Sequence, residues 1–168
     1  KTGFTKEKGV ALLAGGGKLE ELLRGLPFAL TGAQKKAFAQ IRADLEKDSP
    51  MHRMVQGDVG SGKTMVCFMA AVLVFENNMQ SALMAPTEIL AEQHYNNAEK
   101  LLSPLGLRSG LLTGKTRATE RNKLLASLAA GEIDLLIGTH ALIEDEVKFR
   151  SLALVVVDEQ HRFGVEQR

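Results

Sequence analysis

Cysteine is nearly absent from this chain, with Cys67 the single one in 168 residues. An internal disulfide is thereby excluded, which fits a reducing compartment. The apolar setting of Cys67 marks it as core packing rather than a reactive thiol. Charge of one sign is also lacking, since 21 Lys and Arg stand against 20 Asp and Glu for a net +1. The pI is near 8.1. No global basic field announces nucleic acid, so any such contact must be local. Long hydrophobic runs are missing too. The longest, Met65 to Phe75, falls far short of the roughly 20 residues a bilayer requires, so no membrane partner is expected. No sequence repeat, low-complexity tract or cleavable signal is visible. What is present, 45% apolar and 24% charged residues, suits one soluble domain with a substantial core. A chain that begins at Lys1 is expected to have lost its native start and to be a cytoplasmic piece of something larger.

Two segments carry the chemistry. Gly57-Asp58-Val59-Gly60-Ser61-Gly62-Lys63-Thr64 matches a phosphate-binding loop: a glycine, four free positions, then Gly-Lys-Ser/Thr. Its glycines let successive backbone N–H groups converge into an anion nest that side chains would obstruct. A helix starting near Lys63 points its positive dipole end at the same phosphates. Lys63 is expected to reach the β- and γ-phosphates of ATP, and the Thr64 hydroxyl to coordinate Mg²⁺. Asp58 is a discord, because a carboxylate near phosphates is unfavourable; its side chain is expected to point away. Far downstream, Asp158-Glu159-Gln160-His161 ends an apolar run. Asp158 at the end of a strand can hold hydrated magnesium, and Glu159 can orient or deprotonate the attacking water. Either segment alone also reads as an ordinary turn. Together, at the ends of strands in an α/β sheet, they indicate a nucleotide hydrolase.

The rest of the chain supplies that sheet. Residues 1–25 read as a linker from an upstream domain: Gly15-Gly16-Gly17 breaks any continuous helix, and Leu19, Leu22 and Leu23 give a short amphipathic turn or two. From Leu26 onward a single domain, 26–168, is expected. Thr31 caps a helix to about Lys47. Met51 to Gln56 is a weak strand leading into the loop. Further strands are expected at 81–85, 108–112, 134–137 and 152–157. Helices follow Pro86-Thr87, with Ile89, Leu90, Ala98, Leu101 and Leu102 inward, and Thr116, closed by Gly131. Strand-helix-strand alternation at this spacing predicts a parallel sheet.

Taken in order, the segments at strand ends form a series. They are Leu30 to Gln34, the phosphate loop, Ala85-Pro86-Thr87-Glu88-Ile89-Leu90-Ala91-Glu92-Gln93-His94, Leu111 to Gly114, Ile137 to Leu142, and Asp158 to Arg168. The series resembles the first motor domain of superfamily 2 helicases. The last stretch resembles the RecG family of branch-migrating DNA translocases; the related transcription-repair coupling factor usually has a second glutamate where Gln160 stands.

The resemblance implies a three-layer RecA-like fold and ATP-driven remodelling of branched or forked DNA in recombination and repair. It implies that Gln34 reads the adenine edge, although Thr31 and Gln34 can equally form a capping box. Phe28 is a candidate to pack on the base or to act as a hydrophobic staple. It further implies that Pro86, Thr87, Thr113, Gly114, Thr139 and His140 touch one DNA strand through its backbone, where threonines could alternatively serve as helix caps. Gln160 and His161 would couple nucleotide state to the rest of the motor. A second RecA-like domain bearing arginine fingers, and an upstream wedge domain, are expected elsewhere in the parent chain. Without them this chain is expected to be nearly inactive. In such sheets the strand after the Asp-Glu strand lies between it and the loop strand, so a chain stopping at Arg168 is expected to leave a central gap. Two other classes compete: a small-molecule kinase, and a nucleotide-gated binding module.

Overall fold

The computed structural model describes residues 17–26, 29–45, 53–57 and 63–158. Five strands pair throughout in parallel: β1 (Arg53–Gly57), β2 (Gln80–Met84), β3 (Ser109–Leu112), β4 (Leu135–Gly138) and β5 (Leu152–Asp158). Their order is β1-β5-β2-β4-β3. The helices are α1 (Lys18–Arg24), α2 (Gly32–Leu45), α3 (Lys63–Glu76), α4 (Glu88–Leu102) and α5 (Ala118–Ala129). Single 3₁₀ turns occupy Ser103–Leu105 and His140–Ile143.

The alternation of side chains along each strand divides the core in two. Leu83, Ile137, Leu154 and Val156 pack on one face with α3 and α4, whereas Ala82, Leu112 and Leu136 meet Leu128 of α5 on the other. Helices on both faces explain why β4 is buried at every position. Helix α3 is apolar on all sides because it is covered on all sides: Met65 to Val74 are buried without exception, Cys67 among them. The assignment of Cys67 to the core therefore holds.

Three expectations need correction. No gap divides the described sheet, because β1 pairs directly with β5 from Arg53↔Leu154 to Gly57↔Asp158. Closing the sheet gives both strands hydrogen-bond partners that an open slot would leave unpaired. Ile89 is not inward but 68% exposed. The buried stripe of α4 is Ala91, His94, Ala98 and Leu102, and Ile89 lies about 200° around the helix from Ala91. Thr116 does not begin α5. That helix starts two residues later, while the Thr116 hydroxyl accepts the Thr113 N–H at 3.0 Å. The short amphipathic helix expected at Leu19, Leu22 and Leu23 is α1, Lys18–Arg24. Its Leu22 is buried in the main core, and Glu76 of α3 accepts the Lys18 backbone N–H.

Where β4 ends, the chain passes so close to β3 that no side chain fits. A Cβ on Gly138 would lie 2.0 Å from the Leu112 carbonyl oxygen, and a backbone atom cannot swing aside. Gly138→Ala is expected to destabilise the fold by about 3 kcal/mol or more, the upper range for overpacking. A fall in the urea midpoint at unchanged m-value is the measurement; an unaltered midpoint would show that the strand ends separate freely.

Candidate functional site

Parallel pairing brings the candidate segments to one edge. Strands β1, β5, β2, β4 and β3 all end there, with Gly57 in register with Asp158, Met84 with Gly138, and Leu112 with Gly138. The first glycine of the phosphate loop thus stands one strand spacing, about 4.8 Å, from the strand that carries Asp158. Strand β1 ends at Gly57 and α3 starts at Lys63. Residues 58–62, Glu159, Gln160 and His161 lie outside the described residues, as do Phe28, Met51 and His52. Thr64 is half-buried in the first turn of α3.

Asp158 is the best-defined candidate side chain. It is 3% exposed, and its Oδ2 lies 3.1 Å from Nε2 of His94 on α4. Its other oxygen, Oδ1, is buried with no hydrogen-bond partner among the described residues. Buried carboxylate oxygens are costly to leave bare. A hydrated cation satisfies such an oxygen, so the residues fit magnesium. Among the described residues, no three His, Cys, Asp or Glu side chains converge to hold a metal unaided. Magnesium is bound through one or two protein groups together with water and phosphate oxygens.

Gln34 takes part in a reciprocal cap. Thr31 Oγ1 accepts the Gln34 N–H at 3.1 Å, and Gln34 Oε1 accepts the Thr31 N–H at 2.8 Å. The threonine row is likewise built into local structure. Thr87 is exposed and caps α4, its Oγ1 accepting from Leu90 N–H at 3.2 Å. Thr113 is buried, and its hydroxyl accepts the Lys115 N–H at 3.1 Å. Thr139, half-buried, leads into the 3₁₀ turn through Leu142 N–H. Pro86, Gly114 and His140 are exposed.

Two residues beside the candidate segments carry no expectation from the sequence. His94 belongs to a quoted motif yet received no role. Lys115 sits on the exposed turn after β3, with Nζ 3.4 Å from Glu88 Oε1 at the start of α4. Its position beside Thr113-Gly114 was the available signal for a local cation.

Residues 31–168 match the DEAD/DEAH box helicase family. The chain belongs to that family. This helicase domain is homologous to RecG proteins: it is 52% identical over 149 residues to the ATP-dependent DNA helicase RecG of Haemophilus influenzae, covering 89% of this chain and 22% of that protein. The RecG of Thermotoga maritima is 50% identical over 153 residues, covering 90% of this chain and 20% of its own. The chain thus spans about a fifth of the length of these curated relatives. Among solved structures, one described as RecG bound to a three-way DNA junction superposes with a TM-score of 0.76 at 44% identity. It covers 95% of this chain, which in turn covers 24% of it. The helicase fold accounts for the common strand edge, since ligands of open α/β sheets bind at the carboxyl ends of strands.

Proposed function

We propose that this chain is the ATP-binding motor domain of a RecG-type DNA translocase, in which residues 26–168 form the first RecA-like unit and residues 1–25 lead in from an upstream domain. The observation that supports it best is the placement of Gly57 beside Asp158 at the edge where β2, β4 and β3 also end. Nucleotide is bound over β1 and β5, and DNA crosses the ends of the other three strands.

The phosphate loop, Gly57 to Thr64, cradles the phosphates, and Lys63 offsets charge on the γ-phosphate. Thr64 and Asp158 hold the magnesium ion, which when bound neutralises charge on the phosphate oxygens. Glu159 positions the attacking water and accepts its proton. Gln34 reads the adenine edge from the end of α2 while keeping its cap with Thr31, and Gln160 and His161 pass nucleotide state onward. Pro86, Thr87, Gly114, Thr139 and His140 contact the DNA backbone, with Thr113 shaping its turn and Lys115 adding a cation. Such contacts carry no base sequence, which suits a motor that must move along any DNA. A second RecA-like domain supplies arginine to the γ-phosphate, an upstream wedge separates the strands, and the protein works in the cytoplasm. Among the described residues no helix is long and apolar enough to cross a membrane.

Steady-state ATPase activity of the full-length polypeptide, with and without forked DNA, is the test. Stimulation by the fork supports the motor. Turnover indifferent to DNA would sink it in favour of a kinase or a nucleotide-gated binding module.

A further inference from the structure

Buried carboxylates usually have both oxygens hydrogen-bonded, because each bare oxygen in a low-dielectric interior carries its own desolvation cost. Asp158 departs from that rule. Oδ2 meets His94 Nε2 at 3.1 Å, while Oδ1 is buried without a hydrogen-bond partner among the described residues. The histidine is 6% exposed and the aspartate 3%. Their contact joins the second turn of α4 to the last residue of β5, 64 positions apart in sequence. We propose that His94 is the positioning residue of the magnesium aspartate, anchoring one oxygen of Asp158 so that the other is presented to the metal.

The support for His94 is rigid. It shares the buried stripe of α4 with Ala91, Ala98 and Leu102, each fully enclosed, and the helix is capped at Thr87. A carboxylate at a strand end can rotate about two side-chain bonds. A donor fixed on a packed helix selects one orientation and opposes the rest. A hydrogen bond from His94 to the carboxylate oxygen requires the ring proton on Nε2. Metal-binding carboxylates are commonly held by such outer partners, whose loss costs about 10–100-fold in metal affinity. The inference rests on the nucleotide site proposed above and adds a residue outside both of its motifs.

The test is equilibrium binding of a fluorescent ATP analogue to the full-length polypeptide across a magnesium chloride series and in excess EDTA. His94→Ala is expected to raise the magnesium concentration for half-maximal binding by about 10–100-fold. Its affinity in EDTA, set by the phosphate loop, should equal that of the wild type. His94→Gln places an amide N–H near the position of Nε2 and should recover most of the loss. An unchanged magnesium midpoint in His94→Ala overturns the proposal, as does equal weakening with and without magnesium, or a glutamine variant no better than alanine. Should the alanine variant fail to fold, His94→Asn, too short to reach Asp158, replaces it in the same comparison. A wild-type protein that binds no analogue at any magnesium concentration overturns the nucleotide site and this inference together; failure confined to the variants overturns the inference alone.

Discussion

Lys63→Ala in the full-length polypeptide is expected to reduce ATP turnover by at least about a hundredfold, the usual cost of removing one preorganised donor from a charged transition state. Lys63 is the first residue of α3, and the proposed site makes its ammonium the charge nearest the γ-phosphate. Alanine keeps the helix intact, because it is the best helix former and needs no partner. The backbone nest and the helix dipole remain, but the point charge is gone. Nucleotide binding should weaken as well, since the ground-state phosphates lose the same contact. Melting temperature measured without nucleotide separates this from misfolding and should match the wild type. Wild-type turnover in the mutant would remove the phosphate-loop assignment and with it the motor.

How far the sequence could carry this reading depends on the range of the interactions involved. Strand positions were legible because runs such as Leu152 to Val157 are apolar and β-branched, a local signal. Strand order is not local, and the direct β1-β5 pairing replaced the gap that resemblance to complete motor domains had implied. The Thr31 and Gln34 cap was legible as a spacing of three residues, but that spacing suits a helix cap and a base-reading glutamine alike. Thr113 illustrates a different limit. Its position at a strand end was right, yet whether its hydroxyl faces DNA or its own turn depends on burial, and the structure turns it toward Lys115 N–H. His94 was invisible because its partner is 64 residues away. Nothing in the composition of a helix announces which strand end it will reach.

Glu159→Gln should separate binding from chemistry. The amide has nearly the size and hydrogen-bonding reach of the carboxylate, but it cannot take a proton from water. General-base catalysis contributes about 10²–10⁴-fold to such reactions, and turnover of the full-length polypeptide should fall by that factor. Nucleotide affinity should not fall with it. Phosphate binding is assigned to the loop and Lys63, and magnesium to Thr64 and Asp158, none of which the substitution alters. Removing a negative charge near the γ-phosphate should, if anything, strengthen binding, because one repulsive term is lost. The pair of measurements is single-turnover hydrolysis and equilibrium binding of a labelled ATP analogue, each set beside Lys63→Ala. Slow hydrolysis with full affinity assigns the proton to Glu159. Loss of affinity comparable to that of Lys63→Ala would mean that Glu159 supports the architecture of the site, and the base would then have to be sought on another residue.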